Sequence, residues 1–163
     1  MPQVNLVSDG LLNDYLLRLT QQLLDSIAKG STLDPQTHRQ PFSFVTGDWK
    51  TYEALTDPSL TCIEPETGGS IVIGLNFHRF FFEVEQASRA AGKPGPVEAL
   101  TTISSPTMQL LGKDRDVAVL SYTRLIQRTD EQGRPVVIRA AETRVWEKKN
   151  GKWRHVHFHR SKL

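Results

Sequence analysis

One dipeptide constrains this chain more than any other: Asn150-Gly151, set between two alternating runs that span residues 137–160. Both residue types accept positive φ, which a type I′ hairpin turn needs at its two central positions. The turn predicts two long antiparallel strands. On the first, Ile138, Ala140, Glu142, Arg144 and Trp146 share one face, and Val137, Arg139, Ala141, Thr143 and Val145 the other. On the second, Trp153, His155, His157 and His159 alternate with Arg154, Val156, Phe158 and Arg160. No face is cleanly apolar or cleanly polar. A face that mixes large hydrophobes with charge suits a polar cavity or a contact with another subunit.

The hairpin closes a series of four predicted strands, over residues 98–111, 116–129, 135–148 and 152–162. Turns at 112–114, 130–133 and 150–151 separate them, and such short connections make sequential strands antiparallel neighbours. Pro106 cannot donate to a ladder, so it predicts a bulge or an edge. Helices dominate the first half. Leu12, Leu16, Leu19, Leu23 and Ile27 fall at three- and four-residue spacing, with Tyr15 and Leu24 beside them, and predict a helix over 11–28. Ser8 and Asp9 are its candidate N-caps and Gly30 its candidate end. Residues 31–46 show no period and carry Pro35 and Pro41. They read as an insertion, a mobile segment or an interaction element, with Phe42 and Phe44 as packing residues. A short helix follows over 48–55, stopped at Asp57-Pro58. After a strand over 60–64 and an apolar run at 71–73, Asn76 caps a second long helix over 77–91. Phe77, Phe80, Phe81 and Val84 give that helix an aromatic stripe that reads as core. Helices first and a meander of strands after is an α+β pattern, a curved antiparallel sheet wrapped round a long helix.

The 163 residues suit one domain, 1–163, and 23% charge with 38% hydrophobic residues suits a globular one. A net charge of +2 is too small a surplus to predict a nucleic-acid partner. No window approaches a membrane span, and the N-terminus lacks a basic region followed by an apolar one, so a cytoplasmic location without membrane is expected. Cys62 is the single cysteine, which excludes an intrachain disulfide and fits a reducing compartment. Within LTCIEPE it reads as a packed strand residue.

No nucleotide-binding loop, nucleophile elbow or kinase catalytic loop is present, and no cofactor is expected. His155, His157 and His159 share a parity that could face zinc, but strand neighbours on one face lie about 6.6 Å apart, long for a tetrahedral site. No metal site is assigned. The arginines carry more. Arg124 lies mid-strand with Leu120, Tyr122 and Ile126 on its face, Arg144 between Glu142 and Trp146, and Arg160 at the end of the last strand. A guanidinium among apolar side chains must be paired. Two readings stay open: internal salt bridges to Glu142 or Glu64, or a cationic cavity whose planar forks take a carboxylate.

GDWKTYEALTDPSLTCIEPE, GLNFHRFFFE, TTISSP, VAVLSYTRLIQ, QGRP, ETRVWEKKNGKW and VHFHRS, in that order over 47–161, resemble the association (hub) domain of calcium/calmodulin-dependent protein kinase II. The resemblance implies a cone-shaped fold like nuclear transport factor 2. It also implies a non-catalytic domain that pairs into dimers and builds two stacked rings, a homo-oligomer gathering kinase subunits. It further implies a small-carboxylate cavity whose positions fall on Arg124, Arg144, Arg160 and His78, with Glu142 beside them. Three departures stand out: the length of 31–46, the length of the 87–100 connection, and no tryptophan after the second long helix. The rival expectation is an enzyme of the same cone fold, isomerase- or dehydratase-like, acting on a small acidic substrate. Its general base would be Glu142 or His78, and neighbouring arginines would hold Glu142 ionised.

Overall fold

The computed structural model describes residues 6–28, 48–92, 99–130 and 132–163. Helix α1 (Leu6–Ala28) is followed by α2 (Trp49–Leu55), β1 (Thr56–Ile63), a 3₁₀ turn (Pro65–Thr67), β2 (Val72–Ile73) and α3 (Asn76–Ala90). Four long strands complete the chain: β3 (Leu100–Leu111), β4 (Val117–Thr129), β5 (Pro135–Lys149) and β6 (Lys152–Lys162). They form one six-stranded sheet in the order β2-β1-β6-β5-β4-β3. The three hairpins pair antiparallel as their short turns require, with Asn150 and Gly151 both at positive φ, 50° and 77°. One pair departs from the expected antiparallel sheet: β1 lies parallel to β6, brought there by a crossover of the whole α3-to-β5 segment. Residues 31–46, with Pro35, Pro41, Phe42 and Phe44, lie outside the described residues, as does Gly30.

Two bulges shape the sheet. The β3–β4 register shifts between Ser104 and Thr107, around Pro106, which has no N–H to donate. Ser105 there takes a positive φ of 50°. The β5–β6 register shifts at Val156, so that Val145 faces His157 while Trp146 faces His155. An extra residue of this kind bends the strand and reverses side-chain parity beyond it.

Helix α1 packs on the inner face. Leu16, Thr20, Leu23 and Leu24 are buried at helical spacing, while Tyr15 is 45% exposed. Leu16 and Leu23 join Tyr52, Phe82, Ala118, Trp146 and Trp153 in one apolar cluster, and Leu24 joins Leu120 and Tyr122 in another. Trp146 Nε1 donates to Thr20 Oγ1 at 3.1 Å, so the largest core side chain also satisfies its one polar atom on α1. The helix starts at Leu6, earlier than expected, which puts Ser8 and Asp9 inside it rather than at its cap. Asp48 caps α2 by accepting from Thr51 N at 3.0 Å, and its own N–H donates to Ser26 O, tying α2 to α1. Helix α2 ends one residue before Thr56, and Pro58 lies in the β1 strand that follows directly.

The aromatic stripe of α3 is phased differently from the expectation. Phe82 and His78, four residues apart, form the buried face, while Phe80 is 59% and Val84 48% exposed. On that face the imidazole stands beside the Phe82 ring, with its Nε2 3.0 Å from Glu64 Oε1.

A methyl group added at Gly151 would meet nothing within 4 Å, so an Ala there would suffer only from its left-handed backbone. Gly151→Ala is expected to cost about 1 kcal/mol, read as a shift in the denaturation midpoint at fixed protein concentration.

Candidate functional site: a buried arginine–carboxylate interior

The inward face of β4 and β5 carries charge at its centre. Strand alternation buries Ala118, Leu120, Tyr122, Arg124 and Ile126 on β4 and Ala140, Glu142, Arg144 and Trp146 on β5. The register sets Tyr122 opposite Glu142, Leu120 opposite Arg144 and Arg124 opposite Ala140. Glu142 is 2% exposed and accepts from three groups: Tyr122 Oη at 2.6 Å, Arg144 Nε at 2.9 Å and Arg124 NH1 at 3.4 Å. Burial alone would raise its pKa, but Arg144 and then Arg124 outweigh burial and hold the carboxyl at about 2. Burial pushes the Tyr122 hydroxyl up, so it stays a donor.

Arg144 is also 2% exposed, and every side of it is engaged. Nε reaches Glu142 and the Tyr122 oxygen, NH2 reaches Glu142 at 2.8 Å, and NH1 points to His155 Nε2 at 3.2 Å. The Phe158 ring lies 4.6 Å from its guanidinium carbon. His155 is wholly buried, and burial followed by the Arg144 charge depresses its pKa well below the ordinary value. A neutral imidazole can accept from Arg144. Arg124 is less engaged: its Nε is buried with no hydrogen-bond partner among the described residues.

Arg160 and His78 belong to a second ionic group one strand further on. Arg160 NH2 donates to Glu64 at 2.8 Å and to Glu66, and His78 Nε2 lies 3.0 Å from Glu64 Oε1. Hydrogen bonds from His78 and Arg160 hold Glu64 below the ordinary carboxylate range against burial, while burial pushes Glu66 up. Phe158 lies between the groups, stacked on His155 at 5.6 Å and tilted against His78 at 5.6 Å.

Arg124, Arg144 and Glu142 therefore meet directly, whereas Arg160 and His78 are held by Glu64 and Glu66. The Val156 bulge is what brings Arg160 opposite Glu142, on the inner side. The same bulge breaks up the histidine row. His155 points inward, while His157 pairs outward with Thr61 at 2.7 Å and His159 is exposed. The zinc reading of those three residues fails on parity. Sequence reasoning passed over Tyr122 and Glu66; a tyrosine sharing a strand face with a buried arginine was the available signal for the first.

An α1 helix laid across a curved, unclosed sheet with a charged interior defines the cone-shaped class of nuclear transport factor 2-like proteins. The fold is similar to an NTF2-like protein from Cytophaga hutchinsonii, at 18% identity and a TM-score of 0.57 over 93% of this chain and 98% of that one. The chain belongs to the calcium/calmodulin dependent protein kinase II association domain family, which matches residues 35–163. It is similar to the association domain of C. elegans CaMKII, with a TM-score of 0.71 and 32% identity over 94% of this chain and 98% of that one. It is also 37% identical over 146 residues to calcium/calmodulin-dependent protein kinase type II subunit delta of Oryctolagus cuniculus. That match covers 90% of this chain and 23% of the kinase, so the chain spans less than a quarter of that relative's length. The family resemblance and the cone fold expected from the sequence are borne out.

Glu142→Gln leaves two buried guanidiniums short of an acceptor and is expected to cost about 3–5 kcal/mol in chemical denaturation. The depressed carboxyl also sets a pH dependence. Its contribution is complete above the ordinary value of 4.5 and is lost as pH falls toward about 2. The acid limb of the Glu142→Gln variant is therefore expected to be shallower across that window.

Proposed function

We propose that this chain is a non-catalytic oligomerisation hub, pairing into dimers that stack as two rings and gather kinase or other subunits. The observation that carries the reading is the family match over residues 35–163. The surface supports it. Phe80 and Val84 on α3, Ile71 and Ile73 at the β2 edge and Val137 on β5 are all about half or more exposed, an apolar surface that a partner copy would cover. In the same reading Arg124, Arg144, Arg160 and His78 flank a small-carboxylate pocket, with Glu142 holding the guanidiniums in place. Glu64 and Glu66 occupy Arg160, and Arg144 is fully bonded, so Arg124 is the ligand anchor. Two guanidiniums face one carboxylate there, and a ligand oxygen would answer the open Arg124 Nε.

The geometry disfavours an enzyme acting through Glu142. A carboxylate held at about 2 by two arginines is a weak base near neutral pH.

Light scattering coupled to size exclusion is expected to show a closed assembly of many subunits, and a monomer at micromolar concentration would overturn the hub. Calorimetry with short hydroxy- and dicarboxylates is expected to show salt-sensitive binding without turnover. Arg124→Gln should weaken that binding at least about tenfold while leaving assembly size unchanged. Equal binding by the two proteins would remove Arg124 from the site.

A further inference from the structure

We infer that Cys62, Glu64 and His78 form a three-ligand site for a borderline transition-metal ion of the zinc type, with a fourth position left open. The sulfur, one carboxylate oxygen and one ring nitrogen all lie within 4.8 Å of one another. Cys62 Sγ is 3.7 Å from His78 Nε2, and His78 Nε2 is 3.0 Å from Glu64 Oε1. Bonds of about 2.0–2.3 Å at the tetrahedral angle put ligand atoms roughly 3.3–3.8 Å apart, so small side-chain shifts admit an ion. Thiolate, imidazole and carboxylate together are a donor set that suits zinc, and cobalt as its spectroscopic stand-in.

Three elements hold the donors. Cys62 is on β1, 1% exposed and packed on Leu60 and Phe158. Glu64 follows the end of that strand, and His78 stands on the buried face of α3. The two oxygens of Glu64 divide their work: Oε2 takes Arg160 at 2.8 Å, which leaves Oε1 aimed at the cluster. Arg160 thereby orients a ligand from outside, as outer-shell partners of metal sites do. His78 Nδ1 has no acceptor among the described residues. It would carry the ring proton when Nε2 binds, so the affinity falls below that of a site with a complete outer shell. Binding exchanges the Cys62 S–H proton and the proton on Nε2 for the ion, the first released to solvent and the second replaced by one on Nδ1.

The same three residues do not make a nucleophile relay. The thiol and the carboxylate both contact Nε2, and among the described residues no group orients the imidazole from its far nitrogen. The inference is independent of the hub reading; it shares His78 and Arg160 with the carboxylate reading but not its anchor, Arg124.

The test is an anaerobic titration of the full chain with Co²⁺, followed by Zn²⁺ competition. One equivalent per chain is expected, with the near-ultraviolet charge-transfer band of cobalt–thiolate and displacement by zinc. Because Cys62 is the single cysteine, that band can come only from it. Cys62→Ala should abolish the band, and His78→Gln should weaken binding more than about 100-fold, beyond the loss expected for an outer-shell partner. Near-ultraviolet circular dichroism and assembly size establish that each variant folds, and Arg160→Gln offers a third variant outside the ligand set, with a loss of about 10–100-fold. Binding without the thiolate band, no binding at all, or unchanged affinity in a folded His78→Gln protein would overturn the site.

Discussion

A carboxylate has been taken out of water between two central strands, and the rest of the interior is arranged around keeping it ionised. Glu142 at the middle of β5 would be costly alone. Tyr122 from the facing position of β4 and two guanidiniums answer it, and Arg144 in turn is answered by His155 and the Phe158 face. Each partner stands on a fixed rung of the ladder, so a one-residue slip of β4 against β5 would send the charges to opposite faces. The ionic group thereby specifies register as well as filling space. Apolar packing continues on both sides of it, through Leu120 and Leu24 toward α1 and through Trp146 toward Thr20.

The second ionic group solves a related problem at the other side of the cone. Among the described residues, β1 joins the sheet by its parallel pairing with β6, with β2 adding two rungs on its other edge. Glu64 at its end reaches α3 through His78 and β6 through Arg160, which joins three elements at one carboxylate. With His78 on the inner face of α3, Phe80 and Val84 lie outside. Phe80 and Val84 belong to the apolar outer surface on which the hub reading draws. Membership of an association-domain family thus goes together with an interior in which buried guanidiniums and carboxylates are paired across several elements.

Much of the fold was legible from local chemistry. The Asn150-Gly151 turn, the short strand connections, the leucine spacing of α1 and the proline bulge in β3 each act over a few residues, and each appears where its residues predict it. The pairing of buried arginines with Glu142 and Glu64 was legible as one of two readings, because a mid-strand guanidinium among apolar side chains needs an acceptor. Three features were hidden. The parallel β1–β6 pair joins segments far apart in the chain, such as Thr61 and His157. The buried face of α3 falls on His78 and Phe82. The Val156 bulge has no glycine or proline to announce it.

What the sequence determined by itself was the set of elements, their order, the antiparallel meander and the presence of arginines that had to be paired. These follow from turn chemistry, side-chain period and the cost of burying a charge, all of which act along the chain. Only the tertiary structure decided which arginine met which carboxylate, and for Arg160 it did so through one extra residue in β6. Before Val156, His155 faces inward. Beyond it the parity reverses, so Phe158 and Arg160 face inward and His157 and His159 do not. Parity along a strand is read two residues at a time, but a bulge is set by how the strand must bend to cover α1, and that bend exists only once the sheet has closed over the helix.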